Sequence, residues 1–355
     1  MSTYYLPPVT HVIALATIRR QRRLPVPGTV VARVNQKVQA TEVVAEAEVE
    51  PRHYFLDIAR GLGVPEREVN RFLIRERGER VEAGEIIAGP VGLTRRTVRA
   101  PADGRVAAIS GGRVLFEARG RLLSLQSSVP GTVVSTDGST VVIVETTGAL
   151  IQGVWGNGRE DFGVLRRLGQ DGSTRLDNSL LDINHRGAIL MAGICADPAP
   201  LHQAAELAVR GLILGSMTSD LVPLVRRLGF SVVLTEGFGE ISMNTPAFTL
   251  MSTNAGRDVA VDGRMVSAYE HVRPEVVIPL PATQSVELPD EVIPLIAGVR
   301  IRILRGAHQG KVGVVREVYP RGVSYASGVV ARSAQVDVED AGAVNIPLAN
   351  LEILQ

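Results

Sequence analysis

The chain ends in two strand-like stretches, GVRIRILRGAHQGKVGVVREV at residues 298–318 and AQVDVEDAGAVNIPLANLEIL at residues 334–354. Basic and aliphatic residues alternate from Val299 to Ile303, which is the period of a β-strand with one solvent-facing side. Gly310 and Gly313 interrupt the next strand. On this pattern Arg300 and Arg302 share one face of their strand.

These residues, with the closing Asn350-Leu351-Glu352, resemble the KOW motif of NusG-type transcription factors and several ribosomal proteins. The resemblance implies a small SH3-like β-barrel over residues 297–355 that contacts RNA or a ribonucleoprotein. The candidate contact residues are Arg300, Arg302, Arg305, Lys311 and Arg316. This region contains seven basic and five acidic residues, and only Tyr319 and Tyr325 could stack on bases, so protein contact is favoured over RNA contact, which stays open.

The 355 residues are too many for one ordinary core and predict two or three domains. No apolar run approaches the roughly 18 residues that span a bilayer, and a single cysteine excludes an internal disulfide. We therefore expect a cytoplasmic protein that has no membrane partner. The net charge of +1 gives no general attraction to nucleic acid. Residues 1–26 contain four arginines and no acid, which favours a solvated basic arm, with a phosphate-contacting arm as the alternative.

Short β-branched segments between proline and glycine turns fill residues 27–170. The hexapeptide VPGTVV occurs at residues 26–31 and 129–134, with a looser copy at residues 100–106, and GERVEAGEII stands between them at residues 78–87. This pattern resembles the barrel-sandwich hybrid of lipoyl and biotinyl carrier domains. In such a domain the modified lysine sits at a hairpin tip, which here falls near Glu46-Ala47-Glu48 and contains no lysine. The expectation is an unmodified structural or protein-binding domain.

Residues 53–77 predict a helical insertion in this β region. Phe55, Ile58 and Leu62 recur at helical spacing, Gly61-Leu62-Gly63 reads as a turn, and Pro65 opens a second helix. The pair resembles a small helix-turn-helix, but Glu66 and Glu68 open its second helix. Packing against the barrel is therefore favoured over DNA binding.

From residue 185 to 279, continuous apolar strands alternate with amphipathic helices, which predicts a small parallel α/β domain. The stretch from Ala205 to Gly239 resembles small regulatory domains of DRTGG type. Residues 280–296 are a proline-rich linker. The order of barrel-sandwich hybrid, α/β domain and KOW-like barrel resembles an uncharacterised bacterial multidomain family, so the predicted fold class is multidomain α+β and α/β.

Three loops follow the predicted parallel strands and should meet at one sheet edge, where ligands bind in open parallel sheets. Asp197, Thr218 or Ser219, and Thr245 could cap the helices that follow. Helix capping alone, binding of a small anionic ligand and catalysis are the three roles open to this edge. Glu236 stands out among its residues because a carboxylate there could bind a ligand hydroxyl or act as a base. The candidate ligand residues are Gly193, Asp197, Gly215, Ser216, Thr218, Thr235, Glu236, Gly237 and Gly239.

Other chemical motifs are absent. The six histidines never pair at ligand spacing, and no phosphate loop or nucleophile elbow occurs, so we predict no metal, no cofactor and no catalytic residue. Cys195 is interpreted as buried and inert rather than reactive, and Trp155 as a hydrophobic plug rather than a stacking platform.

The leading hypothesis is a non-enzymatic multidomain adaptor that binds protein partners, with an α/β domain that is structural or senses a small anionic ligand. One alternative is an RNA-, ribosome- or transcription-associated factor that acts through the KOW-like domain. Another is an enzyme or enzyme subunit with its site at Glu236.

Overall fold

The computed structural model describes residues 5–49, 51–265, 273–281, 287–338 and 341–355, apart from the Arg121 side chain. The protein is mostly β, with 47% of residues in strands and 13% in helices, as the β-rich sequence predicts. Its strands form five sheets of eleven, six, four, three and two strands, and none of these sheets closes into a barrel within the described ranges. Residues 1–4 of the predicted arm and 282–286 of the predicted linker lie outside the described residues.

Up to Thr136, the described residues form thirteen strands and one α-helix. The strands are β1 (Val9–Thr10), β2 (Val12–Arg23), β3 (Thr29–Val30), β4 (Lys37–Val38), β5 (Val43–Val49), β6 (His53–Asp57), β7 (Arg80–Val81), β8 (Ile86–Val91), β9 (Arg96–Arg99), β10 (Gly104–Ser110), β11 (Arg113–Ala118), β12 (Arg121–Gln126) and β13 (Gly131–Thr136), and the helix is α1 (Ile58–Leu62).

From Val141 onward, the described residues form thirteen strands, which include the parallel ones, and three α-helices. The strands are β14 (Val141–Gln152), β15 (Trp155–Gly156), β16 (Glu160–Arg167), β17 (Ile189–Cys195), β18 (Gly211–Met217), β19 (Ser231–Phe238), β20 (Asp258–Asp262), β21 (Glu275–Pro279), β22 (Arg300–Ile303), β23 (Val312–Ser324), β24 (Val330–Val338), β25 (Gly342–Pro347) and β26 (Leu351–Leu354), and the helices are α2 (Ala199–Glu206), α3 (Val222–Val225) and α4 (Thr245–Thr253). Short 3₁₀ helices lie at Glu66–Arg71, Asn178–Leu180, Ile183–His185, Ser219–Leu221 and Leu348–Asn350.

The largest sheet contains the predicted parallel strands. β17, β18 and β19 are adjacent and parallel, as predicted for residues 185–279, and β16, which the sequence placed within residues 27–170, pairs parallel with β17 as a fourth strand. The same sheet continues through β20, β21, β14, β13 and β4 with antiparallel pairing, so it crosses the boundary predicted at residues 170–185. Two core clusters, one on each side of the parallel strands, share the apolar residues of β17–β19: Leu190, Leu212 and Val232 belong to one cluster, and Ile189, Ile213 and Val233 to the other.

The basic N-terminal segment is not a solvated arm, and that expectation was wrong. Residues 12–23 form β2, which pairs antiparallel with β14 along nearly its whole length. Arg22 is only 2% exposed, and its guanidinium makes a bidentate pair with Glu160 at 2.7 and 2.8 Å. Arg20 forms a second pair with Glu275. Carboxylates distant in sequence therefore neutralise the charges that suggested solvation.

The helical insertion is also smaller than predicted. Residues His53–Asp57 form a strand of a four-stranded sheet, and α1 covers only one turn and a half. Gly63 ends that helix in the left-handed region at φ 71°, the conformation that favours glycine at this position. Pro65 precedes a 3₁₀ helix rather than an α-helix. β-Pairing with β11 overrides the helical spacing of Phe55 and Ile58.

The repeated sequence motifs form two nested copies of one β-motif. We call the first copy, β3–β5 with β12–β14, the outer unit, and the second, β7–β11, the inner unit; the inner unit lies wholly between β5 and β12. In the outer unit Val38 pairs with Gly131 and Ala45 with Leu125. The inner unit repeats both registers, with Val81 opposite Gly104 and Ala88 opposite Val98.

Side-chain hydrogen bonds repeat in the two units as well. Gln39 N donates to Glu42 Oε2 at 3.1 Å, and Glu82 N donates to Glu85 Oε2 at 3.0 Å at the equivalent turn. One position of the repeat is glycine in both units, because the neighbouring strand leaves no room for a Cβ there. A Cβ on Gly131 would lie 2.2 Å from the Glu145 carbonyl oxygen, and one on Gly104 would lie 2.2 Å from that of Glu117.

This nesting corrects the position of the predicted hairpin tip. Glu46, Ala47 and Glu48 lie inside β5, paired with β12, and the whole inner unit stands where the tip was expected. The corresponding tip of the inner unit is the turn between β8 and β9, residues 92–95.

The six-stranded sheet joins the two ends of the chain. Its order is β1-β26-β22-β23-β24-β25, and β1 runs parallel to β26. Its own core cluster includes Ile301, Val315, Val336 and Ile353. No helix in the described part of the chain is both long and apolar enough to cross a membrane.

Candidate functional site

The predicted loops do meet at the carboxyl ends of the parallel strands. Ile194 of β17 is in register with Ser216 of β18, and Ser216 with Gly237 of β19. The strand that contains Gly193 therefore lies next to the one that contains Gly215, and Glu236 lies on the third strand. The sequence placed these residues together correctly because parallel strands end at a common edge.

The protein's own backbone covers the glycines at this edge. A Cβ on Gly193 would lie 2.3 Å from the Gly172 carbonyl oxygen, and a Cβ on Gly215 would lie 2.6 Å from the Met243 backbone nitrogen. Met243 N in turn donates to Gly172 O. Because these two glycines have no Cβ, the chain segments at Gly172 and Met243 can pass close to the strand ends.

Two of the three hydroxyl side chains at this edge are bonded internally. Ser216 is fully buried; its Oγ donates to Ile241 O at 2.7 Å and accepts from Ile241 N at 2.9 Å. Thr235 is 1% exposed and its hydroxyl lies 3.4 Å from Leu214 O. Thr218 Oγ1 is buried and has no hydrogen-bond partner within the described ranges.

Glu236 is enclosed by three hydrogen bonds, and its side chain is only 1% exposed. Its Oε1 accepts from Asn244 N at 3.1 Å and from Asn244 Nδ2 at 2.6 Å. Its Oε2 accepts from Arg302 Nη1 at 2.7 Å, and the same nitrogen also donates to Thr235 O at 2.7 Å. The carboxylate that appeared available to a ligand is therefore held by an arginine of the C-terminal sheet.

Arg302 bridges two buried carboxylates. Its Nε donates to Glu352 Oε1 at 2.6 Å, and Glu352 Oε2 accepts from Thr10 Oγ1 at 2.9 Å. Arg273 Nη1 lies 3.7 Å from Glu352 Oε2 and donates to Thr10. Burial alone would lower the pKa of Arg302, but the charges of Glu236 and Glu352 raise it above its ordinary value. This network ties β19, β22, β26 and the N-terminal strand together.

The helix caps agree with the predictions only in part. Asp197 Oδ1 accepts from Ala199 N at 2.8 Å, at the start of α2. Thr218 occupies a cap position but makes no capping bond. Asn244 caps α4 by accepting from Ala247 N, which corrects the choice of Thr245. Gly237 at the end of β19 and Gly239 just beyond it have φ of 106° and 118°, which is a backbone conformation that favours glycine.

The five predicted contact residues do not form one surface. Arg302 is buried, which corrects its assignment to a solvent-facing side of β22, whereas Arg300 on the same strand is exposed. Arg305 and Lys311 are exposed on or beside the loop that joins β22 to β23. This loop packs on the segment between β19 and α4, because a Cβ on Gly310 would lie 2.6 Å from Ile241 Cγ2. Arg316 is exposed and paired with Asp337.

Cys195 and Trp155 occupy the interior, as predicted. Cys195 is 0% exposed, and burial raises the pKa of its thiol to about 11. Trp155 is 7% exposed, packs in the core of the parallel domain, and meets the Phe238 ring edge-on at a centroid distance of 5.6 Å.

A second charged cluster was missed by sequence reasoning, because its members come from three strands, β2, β16 and β20, and from the segment just after β20. Glu160 contacts Arg22 and lies 3.4 Å from Arg264, which also pairs with Asp262 at 2.5 Å. Burial raises the pKa of Glu160, but the hydrogen bond and charge of Arg22 and the charge of Arg264 outweigh it, so this pKa is lowered. The basic run RRQRR at residues 19–23 was the only sequence signal for this cluster.

In comparisons with known proteins, no family model matches this chain and no curated protein is significantly similar to it. Among the described residues, no group of three or more histidine, cysteine or acidic side chains is placed to hold a metal ion.

Proposed function

We propose that this protein is a non-enzymatic multidomain adaptor that binds protein partners through its exposed β-rich surfaces. The observation that carries this proposal is the internal pairing of Glu236 with Arg302 and Asn244. A catalytic base or a ligand-binding carboxylate must offer a free oxygen to its substrate, and both oxygens of Glu236 are occupied. The enzyme and small-ligand alternatives therefore have less support than the adaptor.

The finer domain assignments belong to this proposal. The nested registers of the outer and inner units favour two barrel-sandwich hybrids, one inserted into the hairpin of the other. The order and pairing of β22–β26 favour a KOW-like module. We further propose a parallel domain of DRTGG type whose strand ends are covered by that module.

Exposed apolar side chains support the binding of partners. Leu93 is fully exposed, Phe55 is 78% exposed, and Val330 is 66% exposed, and these three residues lie on different sheets or turns. Single exposed apolar residues are common on protein surfaces, but a wholly exposed leucine at a hairpin tip is a suitable anchor for an interface.

RNA binding is the second candidate, and one feature of the C-terminal sheet favours it. Beyond the end of the pairing with β25, residues 320–324 and 330–332 form a two-stranded ribbon. The ribbon contains Arg321 and Arg332 and no acidic residue, and Tyr325 lies in its turn with its hydroxyl 2.7 Å from Ser333 Oγ. Such a ribbon could contact phosphates and stack on a base.

A pull-down of the tagged full-length chain from a lysate of its natural host, with and without nuclease, separates the two candidates. The adaptor proposal expects one or more proteins that remain bound in stoichiometric amount after nuclease treatment. RNA binding expects nuclease-sensitive partners and retention on RNA that weakens steeply with salt. The double variant Arg321→Ala, Arg332→Ala should abolish that retention, whereas Arg316→Ala, which removes an arginine already paired with Asp337, should not. A chain that elutes alone under both conditions contradicts the adaptor proposal.

A further inference from the structure

We propose that this protein self-associates by docking the inner unit's hairpin turn of one copy on an acidic sheet face of the outer unit of another copy. The first surface, the arginine tip, consists of Leu93, Arg95 and Arg96 between β8 and β9. The second, the acidic face, consists of Glu46, Glu48 and Leu122 on the outward side of β5 and β12. This inference concerns contacts between identical chains and does not depend on the adaptor proposal.

The arginine tip presents one apolar residue among unpaired cations. The relative exposure of Leu93 is 105%, so the side chain makes no shielding contact with its own chain. Arg95 and Arg96 are both exposed, and neither forms an ion pair with any carboxylate in the described part of the chain. Arg95 has φ 48°, which a non-glycine residue adopts rarely. Arg95 therefore occupies a backbone conformation that favours glycine.

The segment from β6 to β11, which includes α1 and the inner unit, has an excess of positive charge. Residues 52–119 contain thirteen arginines and nine acidic residues. Helix α1 ends beside the tip, since a Cβ on Gly63 would lie 2.4 Å from Arg96 Nη1. Arg60, in the last turn of that helix, is exposed and likewise has no ion pair among the described residues.

The acidic face has the opposite charge and the same arrangement. Leu122 stands directly opposite Glu48 and Ser124 directly opposite Glu46, so the four side chains lie on one side of the strand pair. Leu122 is 62% exposed and Glu48 is exposed. Among the side chains that the structure describes, no cation pairs with Glu46 or Glu48, and Glu46 contacts only Ser124 Oγ at 3.5 Å.

The two surfaces match in composition. Each offers one exposed leucine beside two like charges, and the charges of the two surfaces are opposite. Docking would bury both leucines and pair four charges at once, which neither surface achieves within its own chain. A second copy of this chain carries both surfaces, so it provides the acidic face for the tip and the tip for the acidic face. Because the two surfaces differ, the contact is heterologous, so it closes as a reciprocal pair or extends from chain to chain.

Sedimentation velocity of the purified full-length chain tests this proposal over a range of protein and salt concentrations. The expected result is a mass above that of the monomer at high protein concentration, which declines as salt is raised because the paired charges are screened. The variant Arg95→Glu, Arg96→Glu and the variant Glu46→Arg, Glu48→Arg should each be monomeric alone. An equimolar mixture of the two variants should associate again, because each copy then presents a surface complementary to the other's.

Two further variants serve as controls for this test. Arg80→Glu changes an exposed arginine of the inner unit away from the tip and should leave association unchanged. Leu93→Ser keeps every charge and should raise the dissociation constant at least tenfold, even if a charge-reversed variant fails to fold. A wild-type chain that stays monomeric at all concentrations overturns the proposal, and so does a variant mixture that fails to associate. Binding of the tip to RNA or to another acidic protein by a monomeric chain would be a different function. Only purified protein is used, so this result is independent of the pull-down.

Discussion

Arg302 Nη1 lies 2.7 Å from Glu236 Oε2, although the two residues belong to different sheets. The side chains are 3% and 1% exposed, so the pair is shielded from water. A buried charge is tolerated only when it is paired and hydrogen-bonded, and here one guanidinium serves Glu236 and Glu352 together. The C-terminal sheet is thus fixed on the parallel domain by a polar contact that excludes solvent from the strand ends.

Removal of Arg302 should strongly destabilise the fold. Arg302→Ala leaves two buried carboxylates without their main partner, and we expect a loss of about 3–5 kcal/mol in the free energy of unfolding. Urea denaturation followed by circular dichroism measures it. Arg300→Ala, on the same strand but exposed, is the matched control and should change stability by less than about 0.5 kcal/mol. Equal effects of the two substitutions would show that the buried network does not stabilise the domain contact.

Substitution of the repeated glycines should damage both nested units. Gly131→Ala and Gly104→Ala each place a Cβ 2.2 Å from a neighbouring carbonyl oxygen, so the strands must separate. We expect each change to cost about 1–3 kcal/mol of stability, the usual cost of overpacking. Gly229→Ala is the control, because nothing lies within 4 Å of its Cβ position. Thermal unfolding of the three variants compares them; a harmless Gly104→Ala would contradict the equivalence of the units.

The Glu160 cluster should make stability fall in acid. A carboxylate whose pKa is lowered by folding contributes stability above its unfolded pKa of about 4.3, and that contribution is lost as pH falls through the folded value. Glu160→Gln should therefore be less stable than wild type at pH 7 and should lose less stability between pH 5 and pH 3. Urea midpoints across that range check this expectation. Glu66→Gln, which changes an exposed carboxylate, should keep the wild-type dependence.

Cys195 should resist alkylation in the folded protein. Its thiol is buried and its pKa is raised to about 11, so at pH 8 only about one molecule in a thousand carries the reactive thiolate. Iodoacetamide should leave the native chain unmodified over hours and label it fully in urea, as mass spectrometry would show. Since Cys195 is the only cysteine, any rapid labelling of native protein would contradict this placement.

The sequence predicts local periodicity well and long-range pairing poorly. The strands around Leu190, Leu212 and Val232 were recognisable as parallel because they are continuous apolar runs separated by helices, and Asp197 was recognisable as a cap. The burial of Arg302 was not, because an arginine that alternates with aliphatic residues looks the same whether a carboxylate or water faces it. Its partner Glu236 is 66 residues away and was identified only as a candidate carboxylate.

Repeated motifs gave a partial view of the β-region. The VPGTVV repeat and its looser copy at residues 100–106 indicated a recurring β-motif, but they could not show that the unit containing the looser copy lies inside the hairpin of the other. β2 was mistaken for an arm because its neutralising residues, Glu160 and Glu275, come from distant strands. In each of these cases, the missing information was which distant strand would supply the partner.

The nesting of the two units also imposes an order on folding. Ile86 and Arg99 of the inner unit are close in the chain, so their pairing closes a short loop. Val43 and Gln126 of the outer unit pair across the whole intervening segment, and closure of such a long loop has a larger entropic cost when that segment is disordered. Once the inner unit has formed and β6 has paired with β11, with His53 opposite Glu117, the ends of β5 and β12 are held near each other, and the effective loop becomes short. The inner unit therefore acts as a folding template for the domain that surrounds it, and pulsed hydrogen exchange should detect protection at β8 and β9 before β5 and β12.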